Sequence, residues 1–305
     1  MRKNRLFKDA VEYYIARFII NGIRKMPRLT AIAWVRGLAT VLFVLLRKLR
    51  NITIRNLTMA YGHEKSAKEI RRLGRAVFQH FFTAAADAAR IQLYLEEGMD
   101  GYVRADNMHH LEQAMREGNG MILLTAHFGN WEMLGAWLTW KGFPLRVVGK
   151  PLTNPRLDDL ITETRNQAGY INIARGTETR EIIKTLKQGC PLGILMDQDT
   201  RVKGVFVDFF GKKANTPVGP VLLARRFKIP IIPAFMHLEP DMTYHVECLP
   251  PIIPSETGDP EHDILADVQR CTAVYEAIIR EYPEQWVWFH QRWRRRPGDV
   301  NGLSR

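Results

Sequence analysis

From about residue 101 onward the chain alternates short apolar runs with segments of helical period, and this alternation restricts the fold more than any other feature. MILLT precedes EMLGAWLTW, PLRVVGK precedes PRLDDLITETRNQ, and YINI precedes ETREIIKTLKQ. PLGILM then runs into a loop, and VGPVLLARRF precedes IPIIPAFMHL. Apolar runs this short, set between helical segments, read as buried strands. Strands joined through helices need crossover connections, so the pattern predicts an α/β fold whose largely parallel central sheet is flanked by helices. YHVECLP reads as a further strand and Ile264 to Glu281 as a closing helix. Upstream, Lys68 to Tyr94 carry apolar residues at spacings of three and four with no internal proline, which predicts one long amphipathic helix. No repeat or flexible linker interrupts the pattern, and 305 residues suffice for one large core.

Charge divides the chain differently. Residues 1–50 hold twelve Lys or Arg against Asp9 and Glu12, so nearly all of the net +12 lies in this arm. The arm also contains the most apolar run, Thr30 to Leu46, bounded by basic residues on both sides. Seventeen residues span roughly 25 Å as a helix, the lower limit for a hydrocarbon core, and Arg36 interrupts them. A helix lying on a membrane therefore fits as well as a short span. Nucleic-acid arms rarely carry such a stripe, so no nucleic acid is expected as partner. The division expected is a membrane-associating segment over residues 1–52 and a catalytic domain over 53–305. Three scattered cysteines point to a reducing compartment.

Several chemistries lack their residues. None of the three serines stands in G-x-S-x-G, and there is neither a phosphate loop nor a dinucleotide fingerprint. No two of the nine histidines form H-x-x-x-H or H-E-x-x-H, so no metal and no cofactor is expected from motifs. What remains is AHFGNWEM, where His127 follows a buried strand and Glu132 follows five positions later. Asn130 is a good N-cap, which places Glu132 in the first turn of the next helix, one turn from the imidazole. Glu132 could then orient His127 as a general base; a histidine satisfying a loop carbonyl is the competing reading from spacing alone.

These residues resemble the H-x-x-x-x-[DE] motif of the lysophospholipid acyltransferase superfamily, and within it the lipid A biosynthesis acyltransferases that transfer lauroyl and myristoyl chains. Three further stretches carry the resemblance in family order: Lys150 to Gly169, Gly193 to Phe235 with its D-Q-D and F-F-G, and PEQWVWFHQRWRRRP from Pro283 to Pro297. The basic, apolar N-terminus is similar to the family's membrane anchor. The resemblance implies a glycerol-phosphate-acyltransferase-like fold and O-acyl transfer without an acyl-enzyme intermediate. The donor would be a fatty acyl thioester of acyl carrier protein or coenzyme A, and the acceptor a hydroxyl of a membrane glycolipid, a lipid A precursor, at the inner, cytoplasmic membrane, with the catalytic domain facing the cytoplasm. His127 would be the base and Glu132 its partner. Arg165, Asp197, Gln198 and Lys150 would bind substrate, Arg165 at an acceptor phosphate or the oxyanion, while Asp197 would hold a polar group of the acceptor or order the site. The acid is Glu and the P-E-G-T block of phosphatidic-acid makers is absent, which sets the chain apart from plain glycerol-phosphate acyltransferases. Other glycolipid or lysophospholipid acceptors, and a lipid-binding protein without turnover, are the alternatives. Arg225, Arg226, Lys228 and Arg292 to Arg296 are candidates for docking an acidic carrier protein, although either cluster taken alone reads first as a solvated face. Trp286, Trp288, Phe289 and Trp293 suit either an interfacial aromatic band or core packing.

Overall fold

A computed structural model describes residues 2–149, 151–174 and 178–298. Its centre is a seven-stranded sheet built from β1 (Val103–Asp106), β2 (Met121–Thr125), β3 (Arg146–Gly149), β4 (Ile171–Ala174), β5 (Pro191–Leu195), β8 (Ile231–Leu238) and β9 (Tyr244–Cys248). The strand order is β1-β9-β8-β2-β5-β3-β4, parallel throughout except where β9 runs antiparallel to β8. All five residues of β2 are buried, which is why MILLT is apolar at every position rather than at alternate ones. One apolar core lies on each face. Ile122, Leu124, Leu192 and Phe235 belong to the first; Leu123, Trp137, Ile232 and Met236 belong to the second.

The helices are α1 (Arg2–Lys25), α2 (Arg28–Leu45), α3 (Arg47–Tyr61), α4 (Ala67–Ala89), α5 (Ile91–Glu97), α6 (His109–Glu117), α7 (Trp131–Trp140), α8 (Pro155–Gln167), α9 (Glu178–Lys187), α10 (Gly219–Phe227) and α11 (Pro260–Glu281). The single helix expected over 68–94 breaks at Arg90, whose Nη1 donates to the carbonyls of Ile23 and Met26, both at 2.7 Å, where α1 turns into α2. Satisfying those helix-end carbonyls outweighs the continuous helical propensity. The closing helix starts at Pro260, because the Asp259 side chain accepts from the amides of Glu261 and His262 and proline suits the first helical position.

The loop expected after PLGILM contains a hairpin, β6 (Gly204–Phe209) and β7 (Lys212–Pro217), apart from the main sheet. Phe210 and Gly211 both have positive φ, the geometry of a two-residue turn matching strand twist. Val207, Phe209 and Ala214 turn inward from it. Polar residues along β7 hide this hairpin from a search for apolar runs.

The N-terminal helices are packed onto the rest of the chain. The boundary expected after residue 52 falls inside α3. Helix α2 turns Ala31, Ile32, Val35, Ala39 and Phe43 inward, partly against α4, and leaves Leu29, Trp34, Val41, Val44 and Leu45 exposed. It is the one helix, among the described residues, long and apolar enough to cross a membrane, with mean hydropathy 1.6.

Its first residue anchors a buried network. Arg28 grips Asp87 through two hydrogen bonds of 3.0 and 2.8 Å and donates to the Met242 carbonyl at 2.7 Å. Asp87 also accepts from the hydroxyls of Tyr94 and Tyr244 at 2.5 and 2.8 Å, and Asn130 Nδ2 donates to the Tyr244 hydroxyl at 3.2 Å. The basic arm is thereby connected to the N-cap of α7. Removing a partner from a buried ion pair strands the other charge, so Asp87→Ala is expected to lower unfolding free energy by about 3–5 kcal/mol. Denaturant unfolding of the purified chain measures this, and a loss below about 1 kcal/mol contradicts it.

Candidate active site

Parallel pairing of β2 with β5 sets Thr125 opposite Leu195. Two residues beyond each strand end, His127 and Asp197 meet. His127 Nδ1 lies 2.9 Å from Asp197 Oδ1, while Oδ2 accepts from the His127 backbone amide at 3.0 Å and from Trp286 Nε1 at 2.8 Å. Burial by itself would raise the Asp197 carboxyl. The adjacent imidazole and these hydrogen bonds outweigh it and hold the group below the ordinary carboxylate value. An ionised Asp197 requires the proton on Nδ1 to donate, which leaves Nε2 as the acceptor. Among the described residues nothing bonds Nε2, and the side chain is 30% exposed, at the wall of a cleft.

The loop carrying His127 is clamped from both sides. The C-terminal segment pairs with it: Gly129 N–H donates to the Gln285 carbonyl at 2.8 Å and Val287 N–H to the His127 carbonyl at 3.1 Å. On the other side the Asn130 amide donates to the Met236 carbonyl at 3.2 Å. Gly129 has φ +57°, and a Cβ there would stand 1.6 Å from the Met236 oxygen, so no other residue fits. Asn130 then caps α7, its Oδ1 accepting from the Met133 amide at 3.1 Å.

Glu132 lies in the first turn of α7, as its spacing predicts, but its oxygens face a different partner. Arg165 of α8 donates to both, Nε to Oε2 at 2.9 Å and Nη2 to Oε1 at 2.5 Å. The Tyr170 hydroxyl adds a bond of 2.7 Å to Oε2 and Trp131 Nε1 one of 3.2 Å to Oε1. Burial would raise this carboxyl, but the arginine and the two further donors overcome it and hold it low. The expectation that Glu132 orients His127 therefore gives way: the carboxylate on the imidazole is Asp197. Glu132 and Arg165 instead fasten α7 to α8, with Arg165 Nη1 also donating to Asn172 Oδ1 at 2.9 Å.

The cleft has a volume of about 760 Å³. His127, Trp131, Glu132, Arg165, Gln198 and Lys203 supply polar groups, and Leu134, Val147, Ile161, Leu222 and Leu223 are among its apolar walls. Beyond Trp131 and Phe81, residues lining both spaces, lies a second, almost wholly apolar cavity of about 460 Å³ between α1, α2, α4 and α8. A histidine–carboxylate pair opening into a long apolar cleft is suited to deprotonating a hydroxyl beside a hydrocarbon chain.

Over residues 2–295 the chain matches the family described as bacterial lipid A biosynthesis acyltransferase. The chain belongs to that family. Lipid A biosynthesis acyltransferase of Haemophilus influenzae is 28% identical over 82% of this chain and 77% of its own length. Lipid A biosynthesis lauroyltransferase of Escherichia coli is 26% identical over 87% of this chain and 85% of its own. Phosphatidylinositol mannoside acyltransferase of Mycolicibacterium smegmatis is 27% identical, with the match spanning 61% of each chain. By family, then, the chain is an acyltransferase.

Within this lipid A acyltransferase family member the other expected positions divide. Gln198 lines the cleft, whereas Asp197, with a fully buried side chain, orders the site through His127 and Trp286, the second of its two expected roles, instead of holding an acceptor group. Arg165 borders the cleft with its fork committed to Glu132 and Asn172. Lys150 lies outside the described residues. Trp286 and Trp288 are core residues, which decides against an interfacial band for them. Arg292 is buried too, donating to the Asn215 carbonyl and the Thr216 hydroxyl, both at 2.5 Å, and Arg295 pairs with Asp199. Arg225 pairs with Asp263 at 3.1 Å and approaches Asp267 to 3.7 Å. These three arginines are structural ties rather than free docking charges. Sequence reasoning missed the roles of Trp286, Tyr170 and Asn172. The Q-W of PEQW belongs to a family-like stretch, but no spacing rule connects residue 286 to residue 197.

Proposed function

We propose that this acyltransferase moves a fatty acyl chain from a thioester, on acyl carrier protein or coenzyme A, to a hydroxyl of a lipid A precursor. The observation that carries the reading is the His127–Asp197 pair, with Nε2 free at the wall of an apolar cleft in a member of this family. His127 Nε2 takes the hydroxyl proton as the oxygen attacks the thioester carbonyl. The tetrahedral intermediate then collapses to the new ester, and the departing sulfur recovers the proton from the imidazolium. Asp197 fixes the tautomer and stabilises that imidazolium, as the buried aspartate does in a Ser-His-Asp triad. The Glu132–Arg165 clamp sets the cleft wall on which the substrates lie.

The N-terminal helices supply the membrane contact in this reading. Phe7, Val11, Tyr14, Ile15 and Phe18 are exposed along α1, interspersed with Lys8 and Arg17, and the outward face of α2 continues the apolar surface. Apolar residues flanked by basic ones suit a helix lying at an anionic bilayer, here the inner membrane with the cleft facing the cytoplasm. The similarity to a phosphatidylinositol mannoside acyltransferase supports a second reading with that class of acceptor.

Purified enzyme offered acyl carrier protein and coenzyme A thioesters with a panel of acceptors separates the readings. The expected product is a lipid A precursor heavier by one ester-linked acyl chain. Acylation of phosphatidylinositol mannosides or lysophospholipids with the lipid A precursor untouched overturns the first reading.

A further inference from the structure

Away from the cleft, the β8–β9 hairpin gathers three metal-ligating side chains. His237 of β8 and His245 of β9 are register partners, with their rings 5.1 Å apart, and Glu239 follows β8 directly. Their ligand atoms all lie within 4.8 Å of one another. His237 is 2% exposed and its Nδ1 has no hydrogen-bond partner. Glu239 Oε1 approaches that nitrogen to 3.1 Å without reaching hydrogen-bond geometry, and lies 3.9 Å from His245 Nδ1. A buried imidazole nitrogen beside a carboxylate it does not bond is a group awaiting a partner.

We propose that His237, Glu239 and His245 bind a zinc ion that cross-links the β8–β9 hairpin beside the His127 loop. Two imidazoles and a carboxylate are an established zinc donor set. With Zn–N and Zn–O distances of about 2.0–2.2 Å, tetrahedral ligands stand about 3.3–3.5 Å apart. The 3.1 and 3.9 Å separations bracket that edge, and the half-exposed His245 ring can turn to close the set. Outer partners are also in place. Asp106 on β1 lies 3.0 Å from His245 Nε2, the carboxylate–histidine arrangement that orients metal-bound imidazoles.

The site adjoins the catalytic loop. Asn130 bonds to the Met236 carbonyl, and a Cβ on Gly129 would stand 3.2 Å from His237 Cα. The ligands escape motif searches because H-x-E lies at the end of one strand and the second histidine on the next. The test uses the untagged full chain in detergent, stripped with EDTA and titrated with zinc by calorimetry and thermal melting. One zinc per chain and a raised melting temperature are expected. Glu239→Gln and His245→Ala, both at half-exposed positions, should weaken binding at least about 100-fold, and Asp106→Asn about tenfold. Substituting the exposed His109 and the half-buried His110 together should change nothing. No zinc uptake by the native chain, native-like uptake by Glu239→Gln and His245→Ala, or loss of zinc on changing His109 and His110 would each overturn the proposal.

Discussion

His127→Ala is expected to cut the rate of acyl transfer by at least about 10²-fold while leaving the fold intact, because it removes the group that takes the acceptor proton. The side chain is partly exposed at the cleft wall and reaches the protein through Asp197 and an edge contact with Trp131. Little packing is lost with it. The measurement is kcat for acyl transfer with a saturating thioester donor, alongside a thermal melt. The effect should fall on kcat rather than on donor KM, since the base acts in the transition state and not in donor binding. A variant that melts like the native chain and turns over normally would remove His127 from the mechanism and favour a lipid-binding protein without turnover.

Asp197→Asn should cost about 10⁴-fold in kcat, by analogy with the same change in a Ser-His-Asp triad, where the amide favours the wrong imidazole tautomer. Here the carboxylate has three donors to satisfy: His127 Nδ1, the His127 backbone amide and Trp286 Nε1. An asparagine keeps the shape but can accept at only one atom, so its NH₂ must face one of them. If that NH₂ turns to Nδ1, the proton moves to Nε2 and the base is lost. Glu132→Gln provides the contrast. It weakens the clamp to Arg165 without touching the imidazole, so a smaller loss is expected, spread over kcat and KM. Equal loss at both positions confined to kcat would return Glu132 to the role its spacing first suggested.

Those two carboxylates show where sequence reasoning reached and where it stopped. His127 was legible because MILLT ends in a polar break, and strand ends of α/β sheets collect function. Asn130 was legible as a cap, and it caps α7. Glu132 was placed at the correct height on its helix, but spacing along one helix says nothing of which neighbour a side chain meets across a cleft. Arg165 comes from α8, Tyr170 from just before β4, and both reach Glu132 through tertiary packing. A bidentate guanidinium is a stronger partner for a carboxylate than a neutral imidazole, so Glu132 is satisfied there. The hairpin of β6 and β7 was missed because its second strand is mostly polar. Both readings of the arginine-rich tail, solvated face or docking surface, miss that Arg292 is buried and Arg295 is paired, because composition records charge and not burial.

The sequence by itself determined the layer architecture, through the alternation of fully apolar strands with amphipathic helices, and it determined that a histidine stands at the end of a central strand. It also determined the basic, apolar character of the N-terminal arm. Tertiary structure alone decided which acid completes the pair. Residues 127 and 197 meet only because β2 and β5 are parallel neighbours with Thr125 opposite Leu195, and a slip of one residue would turn one side chain to the other face. Register is a property of two strands packed between two cores, and neither strand carries it alone.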